Sequence, residues 1–91
     1  MLWNKVYELD GQTLQTVARG KVFRVRIEDD RIWFEPLAGN SKRWTARRVI
    51  EEIAQNANGK LTRSEVQEAI GNGAYNSSYI HAVLARLGLA V

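Results

Sequence analysis

The chain has no cysteine, and among its 91 residues a single proline, a single histidine and a single methionine. Without cysteine there is no disulfide and no thiolate metal site, and the composition fits a reducing compartment. A metal ion needs three or four ligands, so one histidine leaves only carboxylates to supply the rest. A serine nucleophile would have to use His81 as its base, and the chain carries no nucleophile elbow around any serine. No stretch approaches the ~18 apolar residues of a membrane span. The opening M-L-W-N-K-V-Y-E-L-D lacks the basic region and apolar run of a secretory signal. These absences lead to the expectation of a cytoplasmic, non-enzymatic protein without metal, cofactor or membrane contact.

Other chemical motifs are missing as well. Gly39 to Lys42 is too short for a phosphate-cradling G-x-x-x-x-G-K-[ST] loop. Asp29-Asp30 reads as a turn and Glu51-Glu52 as the solvated side of a helix. His81 is expected on a helix flank, exposed or at the edge of the core, between the apolar positions Tyr79/Ile80 and Val83/Leu84.

What is present is an ordinary folded composition, 45% hydrophobic and 25% charged. A chain of this length makes one domain, residues 1–91, with a β-rich half (1–39) and a three-helix half (45–88). The net charge is +3, and it comes from one place. Asn40 to Arg48 reads N-S-K-R-W-T-A-R-R, with four basic residues and no acid, while the flanking segments are balanced or slightly acidic. A sequence pI near 9.6 permits contact with an acidic partner.

Residues 2–8 are rich in aromatic and β-branched types and predict an N-terminal strand. Gln12 to Arg19 places Leu14, Val17 and Ala18 at helical spacing, with Gly20 as the cap of a short helix. Residues 22–28 and 31–36 form a hairpin around Asp29-Asp30. A two-residue loop pairs positions whose numbers sum to 59, which puts Phe23, Val25 and Ile27 opposite Pro36, Phe34 and Ile32 on one face. The other face then pairs Glu28 with Arg31, Arg24 with Glu35 and Arg26 with Trp33.

After the connector at 36–42 the apolar period changes from 2 to about 3.6. The first helix is expected to start at Thr45 as N-cap, with Trp44 and Val49 as a hydrophobic staple and Val49, Ile50, Ile53, Ala54 and Ala57 as its stripe. Asn58-Gly59 ends it. The second opens with a capping box, Thr62 and Glu65, and a Leu61–Val66 staple, turning Val66, Ala69 and Ile70 inward. Gly71-Asn72-Gly73 breaks it. The third starts at Asn76-Ser77-Ser78 and buries Tyr79 or Ile80, Val83, Leu84 and Leu87 before Gly88. The fold class is therefore α+β: a small antiparallel sheet followed by a three-helix, winged-helix or helix–turn–helix-like unit on one of its faces.

Three features point to nucleic acid. The first is the cluster Lys42, Arg43, Arg47 and Arg48. Arg47 and Arg48 lie in a first helical turn, where the helix dipole disfavours a cation by roughly 0.3–1 kcal/mol, so an acidic partner would explain them. The alternative is a solvated face with Arg47 and Arg48 paired to Glu51 and Glu52 one turn on. The second is Asn76, Ser77 and Ser78 at the start of the last helix, which either approach phosphate or cap the helix. The third is the outer hairpin face, where Arg24, Arg26, Arg31 and Trp33 either meet a nucleic acid or are held by Glu28 and Glu35. A protein–protein module or homodimer is the competing class, with Trp3, Tyr7 and Trp33 as interface anchors on sheet edges.

The segments V-F-R-V-R-I, D-R-I-W-F-E-P, G-N-S-K-R and N-S-S-Y-I-H-A-V-L resemble small bacterial domains of unassigned function, and the helical half resembles winged-helix DNA-binding modules. The resemblance implies an accessory binding role and carries over no site residue. The function expected from the sequence is a small non-enzymatic accessory module that binds nucleic acid through the basic patch where sheet meets helices.

Overall fold

The computed structural model describes residues 2–17, 19–37, 42–57, 59–70 and 76–91. The elements are α1 (Leu2–Tyr7), β1 (Thr13–Gln15), β2 (Val22–Glu28), β3 (Arg31–Pro36), β4 (Arg43–Ala46), α2 (Arg47–Gln55), α3 (Arg63–Ile70) and α4 (Ser77–Arg86). The four strands form one antiparallel meander in the order β1-β2-β3-β4. The architecture is α+β.

The central hairpin has the register read from the sequence. All six pairs from Phe23–Pro36 to Glu28–Arg31 sum to 59. Asp29 takes a left-handed φ of +53°, which Asp tolerates better than most residues. The alternation then divides the sheet cleanly. Leu14, Phe23, Val25, Ile27, Ile32 and Phe34 point inward and are buried. Thr13, Gln15, Arg24, Arg26, Glu28, Arg31 and Trp44 point outward and are exposed.

The helices cover the inward face. Ile50 and Ile53 of α2, Val66 of α3 and Ile80, Val83 and Leu84 of α4 complete the core. Tyr79 of α4 stacks on Phe34 at 5.4 Å and meets Phe23 edge-on at 4.9 Å. Each large apolar side chain so buried contributes about 1.5–3 kcal/mol, which is what a chain this small needs from nearly every such residue.

Two N-terminal expectations are corrected. Residues 2–7 are a helix, not a strand. A strand would have put Lys5 on the same face as Trp3 and Tyr7, whereas the helix buries Trp3 and Val6 together and leaves Asn4, Lys5 and Tyr7 outside. Residues 13–15 are a strand, not part of a helix. Only Leu14 is buried there, Val17 is exposed, and the β-branched Thr13 fits the edge of the sheet. Gly20 does adopt a left-handed φ of +67°, in a turn rather than at a helix end.

The start of α2 is also displaced. Thr45 lies within β4, turned inward opposite Ile32, and the N-cap position is Ala46 with extended dihedrals and no side-chain cap. Trp44 therefore faces out of the sheet and is no staple for Val49. Pairing with β3 overrides the local capping signal, because a Trp-Thr pair suits a strand and gains ladder bonds there. The α2 stripe is as expected, with Ile50 and Ile53 buried and Val49, Ala54 and Ala57 half-buried. Asn58 and the Gly71–Gly73 breaker lie outside the described residues.

The capping box of α3 forms in both directions. Glu65 N–H donates to Thr62 Oγ1 at 3.2 Å, and Thr62 N–H donates to Glu65 Oε1 at 3.0 Å. Leu61 and Val66 are both buried, but Ala69 is exposed, contrary to the expected inward stripe. Leu61 also pairs in parallel with Ala90: its N–H donates to Leu89 O at 2.9 Å and its carbonyl accepts from Val91 N–H at 2.8 Å, which fastens the segment after α4. In α4 the stripe and the Gly88 terminus follow the sequence, with Gly88 at φ +80°.

Candidate nucleic-acid interface

The N-S-K-R-W-T-A-R-R segment does not make one patch. Strand β4 runs through it and separates its cations. A four-residue strand is roughly 10 Å from end to end, and adjacent residues face opposite sides. Arg43, at one end, points to the inward face opposite Phe34 and is half-buried. Lys42 is exposed and pairs with Glu35 at 3.3 Å. Arg47, beyond the other end, is tied to the turn of the central hairpin. Its backbone N–H donates to Asp30 O at 2.7 Å, and its guanidinium lies 3.5 Å from the Asp30 carboxylate and 3.2 Å from that of Glu51. It also lies over the Trp3 ring, 5.2 Å from the centroid. Arg48 is exposed and forms no ion pair among the described residues.

The first turn of α2 is consequently neutralised from within the molecule. Asp30 supplies an acceptor to the helix N-terminus and a charge to Arg47, so the dipole argument for an external anion at this helix end is satisfied by the chain itself. The i,i+4 pairing foreseen for Arg47 and Glu51 is present.

The residues at the start of α4 have structural roles. Ser77 is buried, with 7% of its surface exposed. Asn76 makes no side-chain cap. Its Nδ2 donates to Trp44 O at 2.9 Å, which covers a carbonyl of the edge strand β4. Ser78 is half-buried. Most of α4 faces the core, since Ile80, His81, Ala82, Val83 and Leu84 are all buried.

His81 corrects another expectation. It is 2% exposed, and its Nε2 lies 2.6 Å from Val91 O, so the imidazole donates to that oxygen. The helical pattern left His81 between two apolar rows, and the residues after α4 return to cover it. Among the described residues, no group of His, Asp and Glu has the geometry of a metal site.

Of the three proposed interface anchors, Trp3 is buried at 6% exposure, with its ring in the core rather than on a sheet edge. Tyr7 is exposed and Trp33 half-buried, and they sit on different elements.

What the structure does bring together is the outward face of the sheet. Trp33 of β3 and Trp44 of β4 are directly paired across the strands, with ring centroids 6.2 Å apart at 43°. Arg31, on the diagonal, lies over the Trp44 ring at 4.3 Å from its centroid. Trp44 remains 43% exposed. The indole nitrogen of Trp33 is buried and has no hydrogen-bond partner among the described residues. Arg24 and Arg26 stand on the neighbouring strand, Arg26 opposite Trp33. The ion pairs formed differ from those expected of an isolated hairpin: Arg26 lies 3.9 Å from Asp10, and Glu35 is taken by Lys42. Asp10 also accepts from Ile27 N–H, which holds it at the sheet margin. These exposed pairs are each worth no more than about 1 kcal/mol and exchange readily for other partners. From the sequence Trp44 is expected as a helix staple, or to pack or stack beside the basic cluster; pairing with Trp33 excludes the staple and puts it on this surface. The signal that would have found it is the β-propensity of R-W-T-A.

Compared with known proteins, the chain matches no family model, no curated protein and no solved structure. No helix among the described residues is long and apolar enough to cross a membrane.

Proposed function

We propose that the chain is a small nucleic-acid-binding accessory module, and that the outward face of its sheet is the contact surface. One observation carries this reading: a paired, part-exposed Trp33–Trp44 platform with Arg24, Arg26 and Arg31 on the same face. Aromatic side chains on a flat sheet suit unpaired bases, because every base has a face to stack and none need be read by its edge. Stacking is worth about 1–3 kcal/mol per base, against about 0.5–1 kcal/mol for an exposed cation–π contact. A base therefore displaces Arg31 from Trp44 at a net gain, and the freed guanidinium turns to phosphate. The reading favours single strands over duplex. The sheet face is preferred to a helix–turn–helix mode, since six of the ten residues of α4 are buried and Arg86 is its one cation.

Titration of short DNA and RNA oligonucleotides, followed by tryptophan fluorescence at several salt concentrations, tests the proposal. Three phosphate contacts on a single strand give a salt slope of about −2.1. Trp44→Ala weakens binding about 5- to 150-fold. Absence of binding at low salt overturns the reading. Concentration-dependent light scattering that Trp44→Ala abolishes would instead assign this face to a protein partner or second copy.

A further inference from the structure

We infer that the groove between α2 and α3 docks a basic amphipathic helix of a protein partner. The groove belongs to the helical layer, whereas the Trp33–Trp44 platform is on the outward face of the sheet, so the inference does not depend on the reading of that face. Its volume is about 550 Å³. Its floor is apolar: Ile53 and Leu61 are buried, Val49 and Ile70 half-buried, and Ala69 exposed. Its rim carries Glu52, Glu65 and Glu68, and among the described residues no cation lines it. A molecule of net charge +3 thus presents one groove whose charges are all acidic.

Each wall is one face of a helix. Val49, Glu52, Ile53 and Asn56 stand at i, i+3, i+4 and i+7 along α2 and its C-cap, and Glu65, Glu68 and Ala69 at i, i+3 and i+4 along α3. Helix α3 buries only Val66, so Ala69 and Ile70 extend its apolar side beyond the core. Val49 lacks the staple contact with Trp44, which faces out of the sheet. These three side chains are left incompletely covered. The rim carboxylates are not neutralised from within. Glu52 and Glu68 form no ion pair among the described residues. Glu65 accepts from Thr62 N–H at 3.0 Å, which fixes its carboxylate at the rim without supplying a countercharge.

Shape and charge select the occupant. Residues 49–56 extend about 10 Å along α2 at the helical rise per residue, which accommodates about two turns of a docked helix. A helix laid there sends apolar side chains at i, i+3 or i+4, and i+7 onto the floor. Its flanking lysines or arginines meet the glutamates, and because both walls carry the same sign they fix the sign required of the partner. The same carboxylates repel a nucleic acid from this groove. A second copy of the chain fits poorly. The four described helices bury their main apolar positions in their own core, so a second copy has no helix to insert.

The test is fluorescence anisotropy of a labelled two-heptad leucine–lysine peptide, with leucine at i, i+3, i+4 and i+7, titrated with the full chain. The expected result is saturable binding that weakens as salt is raised. A scrambled peptide of the same composition binds at least about tenfold more weakly, because it has the charge without the apolar stripe, and a leucine–glutamate counterpart does not bind. Glu52→Gln combined with Glu68→Gln, at two exposed positions without ion pairs, weakens binding about tenfold. Ala69→Arg, exposed on α3, lays a long cation over the floor and weakens it at least as much, with circular dichroism checking that the variant is folded. Trp44→Ala leaves peptide binding unchanged, which separates this groove from the sheet-face platform. Absence of saturable binding, equal binding of the ordered and scrambled peptides, or parental affinity in both groove variants overturns the proposal. Concentration-dependent light scattering that Ala69→Arg abolishes would assign the groove to a second copy and overturn it as well.

Discussion

Asp30 holds Arg47 at two points, through its carbonyl to the arginine N–H at 2.7 Å and through its carboxylate to the guanidinium at 3.5 Å. The turn of the central hairpin is thus fastened to the first residue of α2, and a cation that looked unsatisfied in the sequence is matched inside the fold. Arg47→Ala is expected to lower stability by about 1 kcal/mol, through lost exposed pairs and the Trp3 contact, as measured by urea denaturation. If the sheet face binds as proposed, the same variant is expected to weaken oligonucleotide binding less than Arg24→Ala does, since Arg24 forms no ion pair among the described residues and stands on the platform face. The reverse order would return the binding surface to the sheet–helix junction.

His81 anchors the end of the described chain. Its replacement by Ala removes a buried ring and leaves Val91 O without its donor. The loss is expected at about 2–4 kcal/mol by equilibrium unfolding, with any oligonucleotide binding unchanged in the folded fraction. A loss below ~1 kcal/mol would mean that the imidazole has no core role.

The capping box gives a double-mutant prediction. Thr62→Ala costs about 1 kcal/mol, Glu65→Ala less, and the double variant less than the sum, because each residue satisfies the other's backbone N–H. Strict additivity in thermal unfolding would show that the two bonds are not coupled in solution.

At the hairpin turn, Asp29→Gly is expected to stay within about 1 kcal/mol of the parent, because glycine adopts the left-handed φ freely. Asp29→Val costs about 1–2 kcal/mol more, since a β-branched side chain clashes at φ +53°. Chemical denaturation of the pair decides whether the turn conformation is retained in solution.

Trp44→Ala is the companion to the binding test. With its ring part-exposed and in contact with the Arg31 side chain and the Trp33 ring, its removal is expected to cost about 1 kcal/mol. A much larger loss in urea denaturation would make Trp44 a structural residue and remove it as a stacking surface.

The elements legible in the sequence are those whose causes lie close together in the chain. The 22–36 hairpin reads correctly because one alternation and one two-residue loop define its register. The start of α3 reads correctly because Thr62 and Glu65 are three residues apart, and α4 because its apolar stripe and Gly88 are contiguous. The errors fall where two readings of similar local strength compete. Residues 2–7 contain β-formers at helical spacing, and the helix is chosen because Trp3 and Val6 can both reach the core beneath α2. Thr45 could cap a helix or pair with Ile32, and β3 decides in favour of pairing.

The candidate sites show the same division. Charge content, the lack of thiols and the scarcity of imidazole are properties of the sequence by itself, and they exclude disulfides and thiolate metal sites whatever the fold. Which charged and aromatic residues meet was decided by the tertiary structure. Strand β4 separates Arg43 from Arg47, the sheet pairs Trp33 with Trp44, and the packing of α3 beside α2 sets Glu65 and Glu68 on one groove with Glu52. Periodicity along a chain is a local property, whereas a binding surface is made by strand register and helix packing between segments that have no local knowledge of one another.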